Sequence, residues 1–189
     1  MTSGAAASRP TTQIDLTEAA LAARIVEAPF LGPDLAAAAN AKVEDWLAQL
    51  GAQADGLRQV FAVAPKAREL VNGLCEYSPY LWELVQSDPD RILRVLCVNP
   101  DTQHRALLAS VVGALTQVEA EADAMRMLRR TRNELALLIA IADIGGVWPV
   151  MQVTRALTEL ADTMVQAAVR FLLCDAMRRD RLKPADPRE

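Results

Sequence analysis

Between positions 34 and 50 the apolar residues Leu35, Ala39, Val43, Trp46, Leu47 and Leu50 recur every three or four positions. That period predicts an amphipathic helix entered at Pro33-Asp34 and closed by Gly51. An earlier helix is predicted over about 16–27, ending before Pro29. The middle of the chain is predicted as short helices punctuated by prolines. Ser78-Pro79 and Asp88-Pro89 each set a side-chain acceptor before a proline, which loses no hydrogen bond at the first helical position. Helices over about 80–86 and 91–98 follow, and Asn99-Pro100-Asp101 leads into another over about 103–117.

The strongest periodicity lies further on. A helix over about 119–142 presents Met125, Leu128, Leu135, Leu138, Ile139 and Ala142 on one face, and Asp143-Ile144-Gly145-Gly146 breaks it. Pro149 opens a second helix to about position 179, roughly 45 Å long at 1.5 Å per residue. Val150, Val153, Leu157, Leu160, Met164, Ala168 and Phe171 read as its buried stripe, opposite Gln152, Arg155, Glu159, Asp162, Gln166 and Arg170. A short break between two long amphipathic helices predicts an antiparallel pair. No segment alternates as a strand would. The fold class is therefore all-α, an irregular helical bundle ending in a long antiparallel helix pair. Residues 1–13 read as a disordered leader, 14–181 as one helical domain and 182–189 as a flexible tail.

Composition supports this and narrows function. Hydrophobic residues make up 52%, charged residues 23% and aromatics 4% of 189, values of a folded chain rich in helix formers. A net charge of −4 argues against non-specific binding to nucleic acid or an anionic membrane. No uninterrupted apolar run reaches the roughly 18 residues of a membrane span. Three cysteines at no metal-like spacing, with no export signal, point to reduced thiols in a cytoplasmic protein. Cys75, Cys97 and Cys174 each sit among apolar neighbours and read as core residues. His104, the single histidine, has no partner nearby in sequence, so no Ser/His/Asp or Cys/His set can be assembled.

The remaining candidate chemistry is sparse. Gly145-Gly146 reads as an interhelical turn, since a phosphate loop needs more glycines and a well-placed Lys or Ser/Thr. Asp88 and Asp90 are two apart, as in metal-dependent phosphoryl enzymes, but Asp88 reads better as a helix cap. The sharper feature is Arg126, Arg129, Arg130 and Arg132, with Glu134 one turn beyond Arg130. They lie in the part of the chain that is basic: residues 1–124 carry 16 acids and 9 bases, residues 125–189 carry 8 and 11. The cluster is either a solvated face or a surface for an acidic partner, a phosphate or another domain.

Four stretches in order carry a family resemblance. Ser78-Pro79-Tyr80-Leu81 with Asp88-Pro89 comes first, then Leu128-Arg129-Arg130-Thr131-Arg132-Asn133-Glu134. Ile141-Ala142-Asp143-Ile144-Gly145-Gly146 and Leu157-Thr158-Glu159-Leu160-Ala161-Asp162 complete the set. Together, over about 70–180, they resemble glutamine synthetase adenylyltransferases, and Asp143 to Met151 is worded most like the alphaproteobacterial branch. The resemblance implies a long enzyme of two nucleotidyltransferase halves. One removes AMP from a tyrosine of glutamine synthetase by phosphorolysis; the other attaches AMP from ATP. Each uses magnesium held by an Asp-x-Asp pair, which suits a reaction that is mostly charge neutralisation and in-line positioning. Magnesium and ATP/ADP are implied for such an enzyme, glutamine synthetase and a PII-type signalling protein as its partners.

The resemblance places the catalytic segment after a stretch like 182–187, so no catalytic residue carries over and the chain by itself is expected to be inert. It implies a helical subdomain beside a nucleotidyltransferase core. Arg129, Arg130, Arg132, Glu134 and Asp143 are then the positions of interest, with Glu134 and Asp143 expected to hold the arginines in place. Without that core, apolar surface is expected to be exposed. Two other readings stay open: a non-catalytic helical adaptor that binds glutamine synthetase or a nitrogen-signalling protein, and an unrelated helical domain with a ligand pocket.

Overall fold

The computed structural model describes residues 16–182. The leader 1–13 and the tail beyond Leu182 lie outside the described residues. Those described form α1 (Leu21–Arg24), α2 (Pro33–Leu50), a 3-10 turn (Gly51–Ala54), α3 (Asp55–Val63), α4 (Pro65–Tyr77) and α5 (Pro79–Ser87). There follow α6 (Pro89–Cys97), α7 (Pro100–Leu115), α8 (Glu121–Ile144) and α9 (Val150–Arg178). No strand occurs among the described residues.

Prolines set the boundaries. α2, α4, α5, α6 and α7 all begin at proline, whose fixed φ suits the first turn and whose missing N–H would have had no partner there. The preceding residue supplies the cap. Ser78 Oγ accepts from Leu81 N (3.4 Å), Asp88 Oδ1 from Arg91 N (3.0 Å), and Asn99 Oδ1 from Asp101 N and Thr102 N (2.9 and 3.2 Å). Asn99 thus starts α7 at Pro100, three residues before the expected start.

The first helix differs most from expectation. It covers four residues, not the twelve of 16–27, because the backbone around it is claimed by distant partners. Leu21 N donates to Val98 O at 2.8 Å, and Val26 N and Glu27 N both donate to Gly145 O, at 3.0 and 3.2 Å. Residues 25–32 therefore run extended across the domain. Pro29 packs so closely on α4 that a Cβ on Gly73 would stand 2.6 Å from its ring.

Two cores share the long helices. The larger joins α1–α6 to the C-terminal half of α8 (Leu135, Leu138, Ile141) and the N-terminal half of α9 (Val153, Ala156, Leu160). The smaller joins Val111 and Leu115 of α7, Ala124 of α8, and Ala167 and Phe171 of α9. α8 thus runs from the small core to the large one, and α7 and α9 run the other way. This is the antiparallel α8–α9 pair that the sequence predicts, with α7 added as a third helix. Gly145 and Gly146 make its turn. Gly146 has φ +66°, and a Cβ on Gly145 would stand 2.7 Å from Ile141 O. Val147 N and Trp148 N both donate to Ala142 O, at 2.9 and 3.0 Å.

The stripe expected on α9 needs correction. Val153, Ala156, Leu160, Ala167 and Phe171 are buried, whereas Val150 and Leu157 are 72% and 50% exposed. α9 is apolar on two faces, and the expected stripe mixed both. On α8, Met125 is likewise exposed. The cysteines also divide: Cys75 and Cys97 are half-buried, but Cys174 is exposed and is no core residue.

Candidate functional site: the arginine face and a neighbouring cleft

α8 carries Arg126, Arg129, Arg130 and Arg132 in its N-terminal half, all exposed, the first three on the side opposite Ala124 and Leu135 and Arg132 at its flank. Arg126 pairs with Asp123, a turn earlier on its own helix, and Arg132 donates to Asn133 Oδ1 at 3.0 Å. The side chains of Arg129 and Arg130 make no hydrogen bond or ion pair with any described residue. Guanidinium groups held on one helix face with their donors free suit bidentate recognition of phosphate or carboxylate.

The two acids expected to position these arginines do not. Glu134 turns inward, 8% exposed, and its Oε2 accepts from Arg94 Nη2 of α6 at 3.1 Å. Arg94 also lies 3.6 Å from Asp88, which sits 3.4 Å from Arg91; Arg91 Nη1 donates to Leu84 O at 2.7 Å. Burial opposes the Arg94 charge, but the bond and charge of Glu134, with Asp88 behind, outweigh it and raise its pKa. Glu134 is therefore part of a clasp fixing α5 and α6 to α8. Asp143 is exposed at the far end of α8, about 20 Å along the axis from Arg130. The structure brings together Arg126, Arg129 and Arg130, and separates them from Glu134 and Asp143.

A second polar cluster was not legible in sequence. His104 is 5% exposed on the buried stripe of α7. Its Nε2 lies 3.3 Å from Ala156 O, its Nδ1 3.8 Å from Glu159, and its ring stands edge-on to Trp148 at 5.9 Å. Beside it, Asp101 accepts from Arg24 of α1 (2.7 Å) and from Gln152 of α9 (2.6 Å). The buried Trp148 indole N–H approaches Asp101 without completing a hydrogen bond. Burial works against the Asp101 charge, but Arg24, Gln152 and the indole together lower its pKa. Asp101, His104, Trp148, Gln152 and Glu159 line a cleft of about 990 Å³ between α7 and α9 that Arg105, Arg155 and Met151 also border. The only signal was that Pro100, His104, Val111 and Leu115 share the buried stripe of α7; the partners lie about fifty residues away.

No three His, Cys, Asp or Glu side chains converge among the described residues. Asp88 is committed to its cap and two arginines, and Asp90 to Gln53 at 3.3 Å.

A sequence profile of glutamate-ammonia ligase adenylyltransferase matches residues 68–189, which include the arginine face, the clasp and all of α9. The chain belongs to the glutamate-ammonia ligase adenylyltransferase family. Among its relatives, a bifunctional glutamine synthetase adenylyltransferase/adenylyl-removing enzyme of Bradyrhizobium diazoefficiens is 44% identical over 167 residues. Those residues are 88% of this chain and 17% of that one. Proteins of the same name from Rhodopseudomonas palustris (43% over 175 residues) and Xanthobacter autotrophicus (44% over 167) cover 92% and 88% of the chain. The chain thus spans about a sixth of the length of each, at 17%. All are alphaproteobacterial, as the wording around Asp143 predicts. No solved structure matches the adenylyltransferase-family chain. No helix among the described residues is long and apolar enough to cross a membrane.

Proposed function

We propose that this chain forms the helical part of a cytoplasmic enzyme that removes AMP from glutamine synthetase and adds it back, and that it serves the removal half without being catalytic itself. The observation that carries the reading is the match of relatives named for both activities over about nine-tenths of the chain. Its mechanical contribution is a rigid helical platform. The Asp88–Arg91–Arg94–Glu134 clasp and the Gly145-Gly146 turn hold the α8 backbone, which fixes the points from which Arg129 and Arg130 reach a phosphate or carboxylate of the substrate complex. Magnesium and ATP or ADP would be held by carboxylates elsewhere in the longer enzyme. A PII-type protein would regulate it.

The test is a chimera in which residues 16–182 replace the aligned stretch of the Bradyrhizobium diazoefficiens enzyme. It is expected to release ADP from adenylylated glutamine synthetase, phosphate and magnesium. A folded chimera that adds AMP but cannot remove it, while the parent enzyme with its own stretch removes it in the same assay, would refute the reading.

A further inference from the structure

α9 carries an outward apolar face that no described residue covers. Val150, Leu157, Ala161, Val165, Val169 and Leu172 are all exposed, Val165 at 63% and Leu172 at 54%. Their spacing places them within about 120° of the helix circumference. Along the axis they extend for about 33 Å. The charged residues Arg155, Glu159, Asp162 and Arg170 fall outside that band, so no charge interrupts it. The adjoining face is already filled: Val153, Ala156, Leu160, Ala167 and Phe171 point into the two cores. Exposed Thr154 and Thr158 also fall in the band, their hydroxyls donating back to Val150 O and Thr154 O at 3.0 Å. Folded chains seldom leave so long a stripe without charge to water, and such stripes mark surfaces that are covered in the assembled molecule.

We infer that this outer face of α9 is the seam on which the remainder of the full-length enzyme packs. The inference rests on the proposed function. The relatives are roughly six times longer than the matched stretch, which is 17% of their length, and α9 lies wholly inside the family match at 68–189. An uncharged stripe calls for a permanent apolar neighbour. A polar, exchanging partner would leave Leu172 and Val165 wet between encounters. The covering segment therefore presents aliphatic side chains without charges along the length of α9. The free arginines of α8, at the small-core end of the bundle, stay available for substrate.

The experiment uses the chimera with Cys174→Ser and a single introduced cysteine, labelled with a maleimide and read peptide by peptide by mass spectrometry. Leu172→Cys and, separately, Val165→Cys report the stripe; Gln49→Cys, on an exposed position of α2, is the internal control. Labelling of both stripe positions is expected to be at least tenfold slower than at Gln49→Cys, in protein shown by sedimentation to be monomeric. Equal rates in the monomer would overturn the inference. So would protection that disappears when an oligomer is diluted to monomer, because a second copy would then be the cover. ADP release by the same protein separates the two claims: an active but unprotected chimera sinks the seam alone, and a protected but inactive one sinks the functional reading alone.

Discussion

Removing the Arg94 charge should cost the domain about 2 kcal/mol, for the following reasons. Arg94→Met keeps the aliphatic stem against α8 but leaves the Glu134 carboxylate inside with no cation. At 3.1 Å the gross attraction is about 5 kcal/mol at an effective dielectric of about 20. Desolvation of both groups offsets much of that. Breaking a fully buried pair costs about 3–5 kcal/mol because the survivor stays buried and unpaired. The Glu134 side chain is only 10% exposed but Arg94 is 39% exposed, so solvent screening pulls the figure toward the lower end. A loss of about 2 kcal/mol corresponds to a fall in Tm of about 4–8 °C at this size. The assay is urea unfolding followed by circular dichroism on wild type, Arg94→Met, Glu134→Leu and the double variant. Both single variants should destabilise, and the double variant should lose less than their sum by about 1–2 kcal/mol, since no orphaned charge remains. Additive losses, or an Arg94→Met loss below about 0.5 kcal/mol, would refute the clasp and return Glu134 to the arginine face.

Three further outcomes are expected. Gly146→Ala forces a Cβ into left-handed backbone and against Glu27 and Val26 at 3.1 Å, and should cost about 1–2 kcal/mol by thermal unfolding; an unchanged Tm would contradict the turn. Gly73→Ala gains about 1 kcal/mol of helix propensity but must displace the Pro29 ring, and should be net destabilising, with faster proteolysis in residues 25–32. Asp101 has a folded pKa below its unfolded value, so its contribution is present above about pH 4 and is lost as pH falls through the folded value. The stability gap between wild type and Asp101→Asn should therefore hold from pH 7 to about 5 and close in more acid solution; a gap that widened there would show the opposite linkage.

What could be read from the sequence was what depends on neighbours in the chain. Ser78-Pro79, Asp88-Pro89 and Gly145-Gly146 act through local backbone geometry, and their helix starts and turn stand as expected. α1 could not be read this way, because the N–H groups of Leu21, Val26 and Glu27 donate to the carbonyls of Val98 and Gly145, more than seventy residues off, and draw the chain after Arg24 out of the helix. Periodicity showed that α9 is amphipathic but not which of two apolar faces points inward, and Val150 and Leu157 were assigned to the wrong one. Glu134 misled for a related reason: its helical neighbour Arg130 was visible, while its real partner Arg94 lies forty positions away. The His104 and Asp101 cluster depends entirely on α1, α7 and α9 meeting in space.

The most direct test of the account is the ratio of AMP removal to AMP addition in the chimera when Arg129 and Arg130 are both replaced by alanine. Both are exposed and without partners among the described residues, so the Tm should change by no more than about 1 °C, as for surface substitutions generally. Losing a charge-assisted contact of about 1.5–3 kcal/mol should slow ADP release by about tenfold or more. Attachment of AMP from ATP should be unaffected. Equal rates of removal in the parent and the variant, or a parallel fall in removal, addition and Tm, would contradict the claim that these helices serve the removal reaction.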